Sequence, residues 1–457
     1  ISCAPFCILI RLLVPLKLLP LIEIKNSDIL YYQSRPDQGI KNVYYLSREG
    51  CVVDTIMNVD TTLPFGFNVI GFTSCNFGLG IAARNTIAAL VESGYQVAVH
   101  DIPLPGRSGA DTTWNHLTYT VAESPRYAVN LFHVNPPQQK SLRKGMNIGF
   151  ATVPLNVSVP YWELSRIPES WIPELEMTDI VLAPSRFIEY SVASWTPRCR
   201  VLYYPQAIMT TASPRSDRAV FGLPDNRFLF ITSVDIGSDM VRKNPVGAID
   251  AFRLAFDQNA AAMLVLKLNK SVSGAVFDTI ETKLRSYISG DPRILLLDSS
   301  MTYETILSLY ASCDCYVSLH RAEGLGMGVM EAMLLGKPVI ATFWSGTTDF
   351  MTPGNSCPVS YSIVNCDPVF NPGIRPESLG FQGVWAEPDL YEAASWMRHL
   401  ASSPERCAIM GAEARRCMLE RRKLMSSGET FRFVRIIYEN KAYKIYTTGA
   451  SNNDRTE

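Results

Sequence analysis

The sequence has few of the features that mark metal enzymes, disulfide-rich secreted proteins or nucleic-acid-binding proteins. It contains five histidines, none of them in H-x-x-x-H spacing, and no D-x-D or C-x-x-C motif, so it shows no spacing typical of a metal site. The formal net charge is −1 and no long basic run occurs, so we expect no nucleic-acid partner. The 11 cysteines follow no framework spacing and predict reduced thiols in a cytosolic protein.

Long apolar runs are also scarce. Residues 1–22 are strongly apolar, but Arg11 and Lys17 divide them into runs of at most ten uncharged residues, about half of what spans a bilayer. This segment predicts either an interfacial helix or packing on the protein, and both stay open. We expect a cytoplasmic protein and leave open a peripheral contact with the inner face of a membrane. The chain starts at Ile1 rather than Met, so it is also compatible with a piece of a longer protein.

The remaining composition is that of a globular, core-building chain. Hydrophobic residues make up 47% and charged residues 19% of the 457 residues, and this length favours two domains. Short apolar runs alternate with helical patterns and predict strands at residues 68–72, 96–100, 127–132, 147–151, 179–184, 227–232, 263–268, 293–298, 315–319 and 338–342. Uniformly apolar strands that alternate with helices indicate parallel sheets covered on both faces. The sequence therefore predicts an α/β chain with two doubly wound, Rossmann-like domains that face each other across a cleft.

The two series of elements are separated by a polar, proline-containing stretch at residues 214–226. We therefore expect four segments: an N-terminal extension of unclear structure at residues 1–64, a first Rossmann-like domain at 65–213, a second at 214–424, and a C-terminal helix with a polar tail at 425–457. In the second domain, Asn244 is predicted to cap a helix whose first residue is Pro245.

The segment "HRAEGLGMGVMEAMLLGKPVIAT", residues 320–342, places Glu323 in a glycine-rich loop and Glu331 inside the following helix. The loop follows a predicted strand and precedes a helix that starts near Met327. In a doubly wound sheet this is the edge where ligands bind. Glycines there let backbone N–H groups approach a ligand, and a helix start favours an anion such as a diphosphate. The glycines are Gly324, Gly326 and Gly328.

The two glutamates of this segment have different expected roles. Glu323 precedes the helix and can reach a group that lies over the bound anion. Glu331 lies about 100° around the helix from Met330, beside the apolar face, where a carboxylate can accept two neighbouring hydroxyls such as those of a ribose. The alternative for Glu331 is a solvated position on the helix surface.

At this point the sequence resembles a known family. The segment "EGLGMGVME" resembles the Glu-x7-Glu motif of retaining glycosyltransferases of family four, also called glycosyl transferases group 1, which have the GT-B fold. "RKNPVGAIDAFRLAF", "GKPVIATFWSGTTDFM" and "GVWAEPD" resemble other segments of the family. "GFTSCNFGLGIAAR" and "YWELSRIPESW" resemble members that build bacterial surface polysaccharides. The resemblance covers roughly residues 65–437.

The resemblance implies a retaining hexosyltransferase. The hexose, with mannose as one candidate, would move from a nucleotide-diphosphate sugar to a glycan or lipid-linked acceptor, without a metal or another cofactor. On the donor side, Lys243 would contact the diphosphate, with Arg242 beside it. Glu323 would contact the transferred sugar and Glu331 the ribose. The donor would also contact the loop formed by Gly324, Leu325 and Gly326.

The resemblance also implies roles for residues of the first domain. Gly78 and Gly80 match a glycine loop near the donor phosphate and the acceptor. His133 matches a histidine that some members use near the sugar, although a histidine at a strand end is also a common structural residue. Two positions depart from the family pattern: Gly237 replaces a frequent arginine, so diphosphate binding would rely on Lys243, Arg242 and backbone amides, and Leu325 replaces a common phenylalanine.

Two other functions stay open at this level. Gly78, Gly80 and Ala83 form a G-x-G-x-x-A pattern with Asp101 after the next strand, as in NAD-dependent oxidoreductases. In that fingerprint the first glycine follows the strand directly, whereas residues 73–77 intervene here. The second alternative is a GT-B protein that binds a nucleotide sugar without transferring it, or an epimerase of the same architecture.

Overall fold

The computed structural model describes residues 29–35, 40–47, 50–51, 63–104, 111–119, 125–145, 155–196, 198–210, 214–258, 261–270, 274–366 and 383–439. Contacts divide the chain into two units, Leu63–Thr430 and a smaller one formed by Ile1–Thr62 with Phe431–Glu457. In the smaller unit, strands β1 (Ile29–Arg35), β2 (Ile40–Ser47) and β3 (Gly50–Cys51) form an antiparallel sheet in that order. This sheet lies in the segment whose structure the sequence leaves unclear.

The larger unit contains two parallel six-stranded sheets. The first sheet has the order β5-β4-β6-β7-β8-β9. Its elements are β4 (Phe67–Gly71), α1 (Gly78–Glu92), β5 (Val97–Asp101), β6 (Val129–His133), α2 (Pro136–Gly145), β7 (Leu155–Ser158), α3 (Ile172–Glu176), β8 (Ile180–Ala183), α4 (Arg186–Ala193) and β9 (Val201–Tyr203). The strands β4 and β6 are parallel neighbours, but the chain adds β5 to one side of β4 and then β6 and the later strands to the other side. The loops that follow β4 and β6 therefore lead to opposite faces of the sheet and leave a crevice between them.

The second sheet has the order β12-β11-β10-β13-β14-β15, again with all neighbours parallel. Its elements are β10 (Phe228–Asp235), α5 (Met240–Lys243), α6 (Pro245–Ala255), β11 (Ala262–Asn269), α7 (Ala275–Ile288), β12 (Ile294–Leu297), α8 (Tyr303–Ser312), β13 (Cys315–Ser318), α9 (Met327–Leu334), β14 (Val339–Thr342) and β15 (Cys357–Val359). An antiparallel hairpin of β16 (Tyr361–Asn365) and β17 (Val384–Pro388) follows, then α10 (Leu390–Ala401) and α11 (Pro404–Ser426). The switch point of this sheet lies between β10 and β13.

The structure confirms the predicted class of two doubly wound α/β sheets. The apolar strands are buried as expected; β4, for example, is buried along its whole length. One predicted strand, at residues 147–151, lies outside the described residues. The strand that pairs with β6 is β7, which the apolar pattern does not predict because its polar residues Asn156 and Ser158 interrupt the apolar run.

The helix starts show how local sequence fixes the elements near the site. The Asn244 side chain accepts a hydrogen bond from the Gly247 N–H, and Pro245 is the first residue of α6, as predicted. The prediction for α1 was wrong at its start. This helix begins at Gly78 rather than near Ile81, so the two first-domain glycines form its first turn instead of a preceding loop. None of the described helices is long and apolar enough to cross a membrane.

Candidate active site

The switch point of the second sheet brings together two segments that are 80 residues apart in the chain. Helix α5 follows β10 and ends with Arg242 and Lys243, whereas the loop after β13 contains Glu323. Asp239 caps α5 by accepting hydrogen bonds from the N–H groups of Val241 and Arg242, which fixes this short turn. Two cations and one carboxylate therefore meet at the carboxyl edge of the sheet.

Glu323 is buried and forms ion pairs with both cations. Its Oε1 accepts a hydrogen bond from Lys243 Nζ, and its Oε2 lies 3.5 Å from a terminal nitrogen of Arg242. Burial opposes ionisation of this carboxyl group, but Lys243 and Arg242 outweigh it and lower the Glu323 pKa to about 2. Glu323 is therefore ionised at neutral pH and can accept hydrogen bonds from sugar hydroxyls.

The backbone of Glu323 is fixed by the turn after β14. The Glu323 N–H donates to Ser345 Oγ at 2.8 Å, and its carbonyl accepts from the Gly346 N–H at 2.8 Å. Ser345 has a φ of 65°, a strained value for a non-glycine residue. This backbone conformation brings the Ser345 hydroxyl against the loop. The position of Glu323 is therefore fixed by hydrogen bonds at both its N–H and its carbonyl group.

Two glycines of the loop before α9 are required by close contacts. A Cβ on Gly324 would lie 2.6 Å from the Trp162 carbonyl oxygen, and Gly326, at φ +84°, would meet the Thr347 side chain at 2.6 Å. The Gly324 carbonyl also accepts a hydrogen bond from Ser185 Oγ, at 2.6 Å. Since Trp162 and Ser185 belong to the half of the larger unit that contains the first sheet, this half packs directly on the loop.

The first turn of α9 lies at the same edge. As in any α-helix, its first N–H groups have no intrahelical partner, and the N-cap residue Gly326 has no side chain that could accept a hydrogen bond from them. The Leu325 side chain points elsewhere, because it is only 4% exposed and lies in the hydrophobic core of the second sheet. The arrangement suits an anion at the helix start.

Glu331 lies one turn inside α9 and is 5% exposed, so the alternative of a solvated surface residue is wrong. Tyr303 OH donates a hydrogen bond to Glu331 Oε1 at 2.9 Å. Burial raises the pKa of Glu331 to about 7, although the Tyr303 hydroxyl and the charge of Lys243 oppose the rise. A buried carboxylate with one oxygen bonded by Tyr303 can offer its other oxygen to a ligand hydroxyl.

Arg242 connects the second sheet to the other half of the unit. Its guanidinium donates to the Ala322 carbonyl at 2.8 Å and lies 3.3 Å from Glu163 Oε1, besides its contact with Glu323. Glu163 follows β7 of the first sheet. The Arg242 side chain is therefore largely engaged by protein groups, and Lys243 is the cation that depends on Glu323 alone for its ion pair within the described residues.

The two first-sheet glycines lie close to this site. A Cβ on Gly80 would lie 2.2 Å from the Cys75 carbonyl oxygen, so the start of α1 packs tightly on the preceding loop. A Cβ on Gly78 would lie 3.3 Å from Met327 Cε, at the first residue of α9. The first turns of α1 and α9 thus approach each other, and a glycine at position 78 keeps the space between them open.

His133 ends β6 at the switch point of the first sheet. It is fully buried, neither ring nitrogen has a hydrogen-bond partner in the described part of the chain, and its ring centroid lies 6.3 Å from that of Tyr161. Burial lowers its pKa to about 3, so the imidazole is neutral at physiological pH. A neutral, unpaired imidazole can exchange hydrogen bonds with a sugar hydroxyl.

The site also contains residues to which the sequence analysis assigned no role. Glu163 and Ser345 lie in segments that resemble the family, "YWELSRIPESW" and "FWSGTTD", but neither residue type nor spacing singles them out. Tyr303 opens α8 and reaches Glu331 only through the packing of two helices. No local pattern could have predicted these partners.

The arrangement does not favour the oxidoreductase alternative. The Asp101 carboxylate accepts hydrogen bonds from Thr73 Oγ1 at 2.8 Å and from the Ser74 N–H at 2.9 Å. Asp101 therefore holds the loop between β4 and α1. Across the ranges that the structure describes, no group of three or more histidine, cysteine, aspartate or glutamate side chains is placed to hold a metal ion.

Comparison with known proteins found a family match for part of the chain and solved structures of similar fold. Residues 216–360 match the family model described as glycosyl transferases group 1. The structure is similar to that of Anabaena Alr3699/HepE in complex with UDP and glucose, with a TM-score of 0.57 and 15% identity over 81% of this chain and 99% of that chain. It is also similar to the sucrose-phosphate synthase of Thermosynechococcus elongatus, with a TM-score of 0.54 and 17% identity over 85% and 100% of the two chains. None of the curated protein sequences matches the chain.

These similarities, at such low identity, show the fold, which is GT-B. The family match defines the class of the second half of the larger unit: residues 216–360, which contain the second sheet with Lys243, Glu323 and Glu331, form a glycosyl transferases group 1 domain.

Proposed function

We propose that the chain transfers a hexose from a UDP-sugar to a hydroxyl of a glycan or lipid-linked acceptor, with retention of anomeric configuration, in surface polysaccharide biosynthesis. The observation that supports this most is the meeting of Lys243, Arg242 and Glu323 at the start of α9, one turn before the buried Glu331. The choice of uracil follows the Anabaena structure, whose complexes contain UDP and UDP-glucose. The polysaccharide pathway and mannose as one candidate sugar follow from the family resemblance.

In this proposal, contacts between residues of the site are replaced by contacts with the donor when it binds. The diphosphate takes Lys243 away from Glu323, because it has more negative charge and lies at the helix start, where N–H groups also point. Glu323 then accepts hydrogen bonds from the sugar hydroxyls. Glu331 binds the ribose with the oxygen that Tyr303 leaves free, and His133 contacts the sugar from the first-sheet side.

The chemical step needs no nucleophile from the protein. The bond between the anomeric carbon and the diphosphate breaks while the acceptor oxygen bonds to that carbon on the same face. The acceptor proton passes to the departing phosphate oxygen, so atoms and charges balance. Lys243 and the first-turn amides of α9 stabilise the charge that develops on the leaving diphosphate.

A panel of nucleotide sugars tests the proposal. A ligand that binds only the folded state raises the melting temperature, by an amount that grows with its concentration over its Kd. We expect UDP-hexoses to stabilise the protein and a Glu331→Ala variant to lose most of that stabilisation. Stabilisation by NAD instead of any nucleotide sugar would contradict the proposal. Release of the nucleoside diphosphate, with transfer of the sugar to water or to an acceptor, distinguishes an active transferase from a protein that only binds the donor.

The division into domains is a further part of the proposal. We propose boundaries at 65–213 and 214–424, and the strands of the two sheets fall within these ranges. Cleavage near residue 213 by limited proteolysis, with both fragments staying folded, is the expected result; cleavage confined to positions inside a sheet would contradict it. A cytoplasmic location with peripheral contact at the inner face of a membrane is proposed with it, from the family resemblance.

A further inference from the structure

Three segments of the site are distant in the chain and are joined at one residue, Arg321. The Arg321 N–H donates to the Arg242 carbonyl at 2.7 Å, and the Arg321 carbonyl accepts from the Ala386 N–H at 2.9 Å. The backbone of Arg321 therefore links the end of α5 on one side to β17 on the other. Neither contact could be inferred from the sequence, since each depends on the packing of separate segments.

The Arg321 side chain repeats the same connections. Its guanidinium donates two hydrogen bonds to the Glu387 carboxylate, at 2.6 and 2.8 Å, and a third to the Val241 carbonyl at 2.7 Å. The guanidinium also lies 5.9 Å from the centre of the Trp385 ring. A planar guanidinium bonded to a carboxylate at two points has a fixed orientation, which a flexible ammonium cannot reproduce. Arg321 and Glu387 together hold the last turn of α5.

The residues held in this way include the immediate neighbours of the charged groups of the site. Val241 and Arg242, whose carbonyls Arg321 contacts, directly precede Lys243, and Arg321 itself lies two residues before Glu323. A movement of α5 relative to the loop after β13 would change the distance from Lys243 to Glu323. Arg321 belongs to this loop and is bonded to α5, so it opposes that movement.

We propose that Arg321, clamped by Glu387, is a positioning residue that sets Lys243 against Glu323 and so determines how tightly the diphosphate of the donor is held. This rests on the proposed function of the site. It gives a role to the segment "GVWAEPD", which contains Glu387 and lies more than 60 residues beyond Glu323 in the chain. Displacement of a positioned group by about 1 Å can cost about a hundredfold in rate, so a clamp of this kind has a measurable effect.

The test compares ligands with and without phosphates. Uridine reports the contacts of the ribose with Glu331, whereas the additional affinity of UDP over uridine reports Lys243 and the helix start. We expect Arg321→Met to lower UDP affinity about tenfold or more, the effect of losing one charge-assisted contact, while uridine affinity changes less than about twofold. Titration calorimetry of both ligands with wild type and variant gives the comparison. An equal loss for UDP and uridine, or no loss for UDP, would overturn the proposal.

Arg218 offers a matched control. It forms the same type of clamp, with two hydrogen bonds to Asp314 at 2.9 and 2.8 Å and further bonds to the carbonyls of Pro224 and Arg227, both at 3.1 Å. It lies before β10, at the opposite edge of the second sheet. Arg218→Met should lower the melting temperature, but it should not lower the affinity for UDP more than the affinity for uridine. A selective loss in this control as well would mean that any damage to the sheet weakens diphosphate binding.

Two further variants test whether the bidentate contact of Arg321, rather than its charge, is required, and whether the coupling exists without a bound donor. Arg321→Lys keeps the positive charge but not the bidentate contact, so we expect its UDP affinity to stay low, and full recovery of that affinity would contradict a positional role.

A ligand-free measurement uses Arg321→Met combined with Glu323→Gln. The shift in melting temperature of the double variant should differ from the sum of the single shifts, because both changes affect one linked group of residues. Additive shifts would overturn the clamp even if the donor is not a UDP-sugar, whereas a wild type that binds no nucleoside diphosphate refutes only the proposed function.

Discussion

Tyr303 donates a hydrogen bond to Glu331 from a neighbouring helix, so the carboxylate of the second motif glutamate is anchored at one oxygen before any ligand arrives. The anchor explains how a side chain buried beside the apolar face of α9 keeps a defined orientation. It also divides the two oxygens between a structural partner and a ligand.

Replacement of Glu331 by alanine should weaken binding of UDP by about ten- to a hundredfold. Hydrogen bonds to a charged group contribute roughly 1.5–3 kcal/mol, and alanine would remove those proposed between Glu331 and the ribose. Titration calorimetry with UDP measures the change. Glu304→Ala, an exposed glutamate in the first turn of α8, serves as the control and should bind like wild type. Unchanged affinity in Glu331→Ala would remove this residue from the nucleoside site.

The raised pKa of Glu331 predicts a pH dependence of stability. Its value rises from 4.5 to about 7 on folding, so the folded state binds more protons than the unfolded state between these values. The contribution of Glu331 to the free energy of unfolding should therefore fall as the pH rises from about 4.5 to 7. Glu331→Gln, which stays neutral, should gain stability relative to wild type at pH 8 compared with pH 4.5. Denaturant unfolding at the two pH values checks this, and a difference of the opposite sign would contradict it.

Replacement of Lys243 by alanine should lower kcat more than it raises KM. The negative charge on the departing diphosphate grows toward the transition state, so an interaction with it is worth more there than in the bound donor. Initial-rate kinetics with the preferred donor measure both parameters. Lys283→Ala, at an exposed position on α7, is the control. A raised KM with an intact kcat would mean that Lys243 only binds the donor in its ground state.

Replacement of Glu323 by glutamine keeps the shape of the side chain and removes its charge. We expect a lower kcat with nearly unchanged UDP affinity, since in the proposed function Glu323 contacts the sugar rather than the nucleotide. The anomeric coupling of the product in proton NMR should show retention of configuration. A fully active variant would exclude Glu323 from the site, and an inverted product would contradict the retaining mechanism.

Removal of divalent metal ions should leave the wild-type rate unchanged, because the cations of the site are Lys243, Arg242 and the helix start. Rates measured with and without a chelator test this, with readdition of Mg²⁺ as the control. A large loss that Mg²⁺ restores would assign a metal to the reaction.

The sequence predicts the local features of this structure well. Asn244 and Pro245 start α6 as expected, because capping depends on residues within one turn. The two motif glutamates also lie where the strand-loop-helix pattern predicts. Apolar strands are recognisable from composition alone, whereas β7, with Asn156 and Ser158 in its interior, is not.

Contacts between distant segments could not be predicted. Glu163, Arg321 and Tyr303 acquire their partners through packing of elements far apart in the chain, for which a single sequence holds no local signal. The prediction of a glycine loop before α1 was wrong for a related reason. Gly78 and Gly80 begin the helix, and the close approach of the Cys75 carbonyl, which requires glycine at position 80, is visible only in three dimensions.

The pairing of Arg242 with Glu163 has a consequence for engineering. If the half that contains the first sheet binds the acceptor, as the family resemblance implies, its exchange between related proteins is a route to new acceptor specificity. Here that half supplies the carboxylate that pairs with Arg242, the Trp162 carbonyl that packs on Gly324, and the Ser185 hydroxyl that bonds it. A chimera that lacks these three groups would alter the proposed donor site although only the first-sheet half was exchanged, so grafts should retain residues 162, 163 and 185.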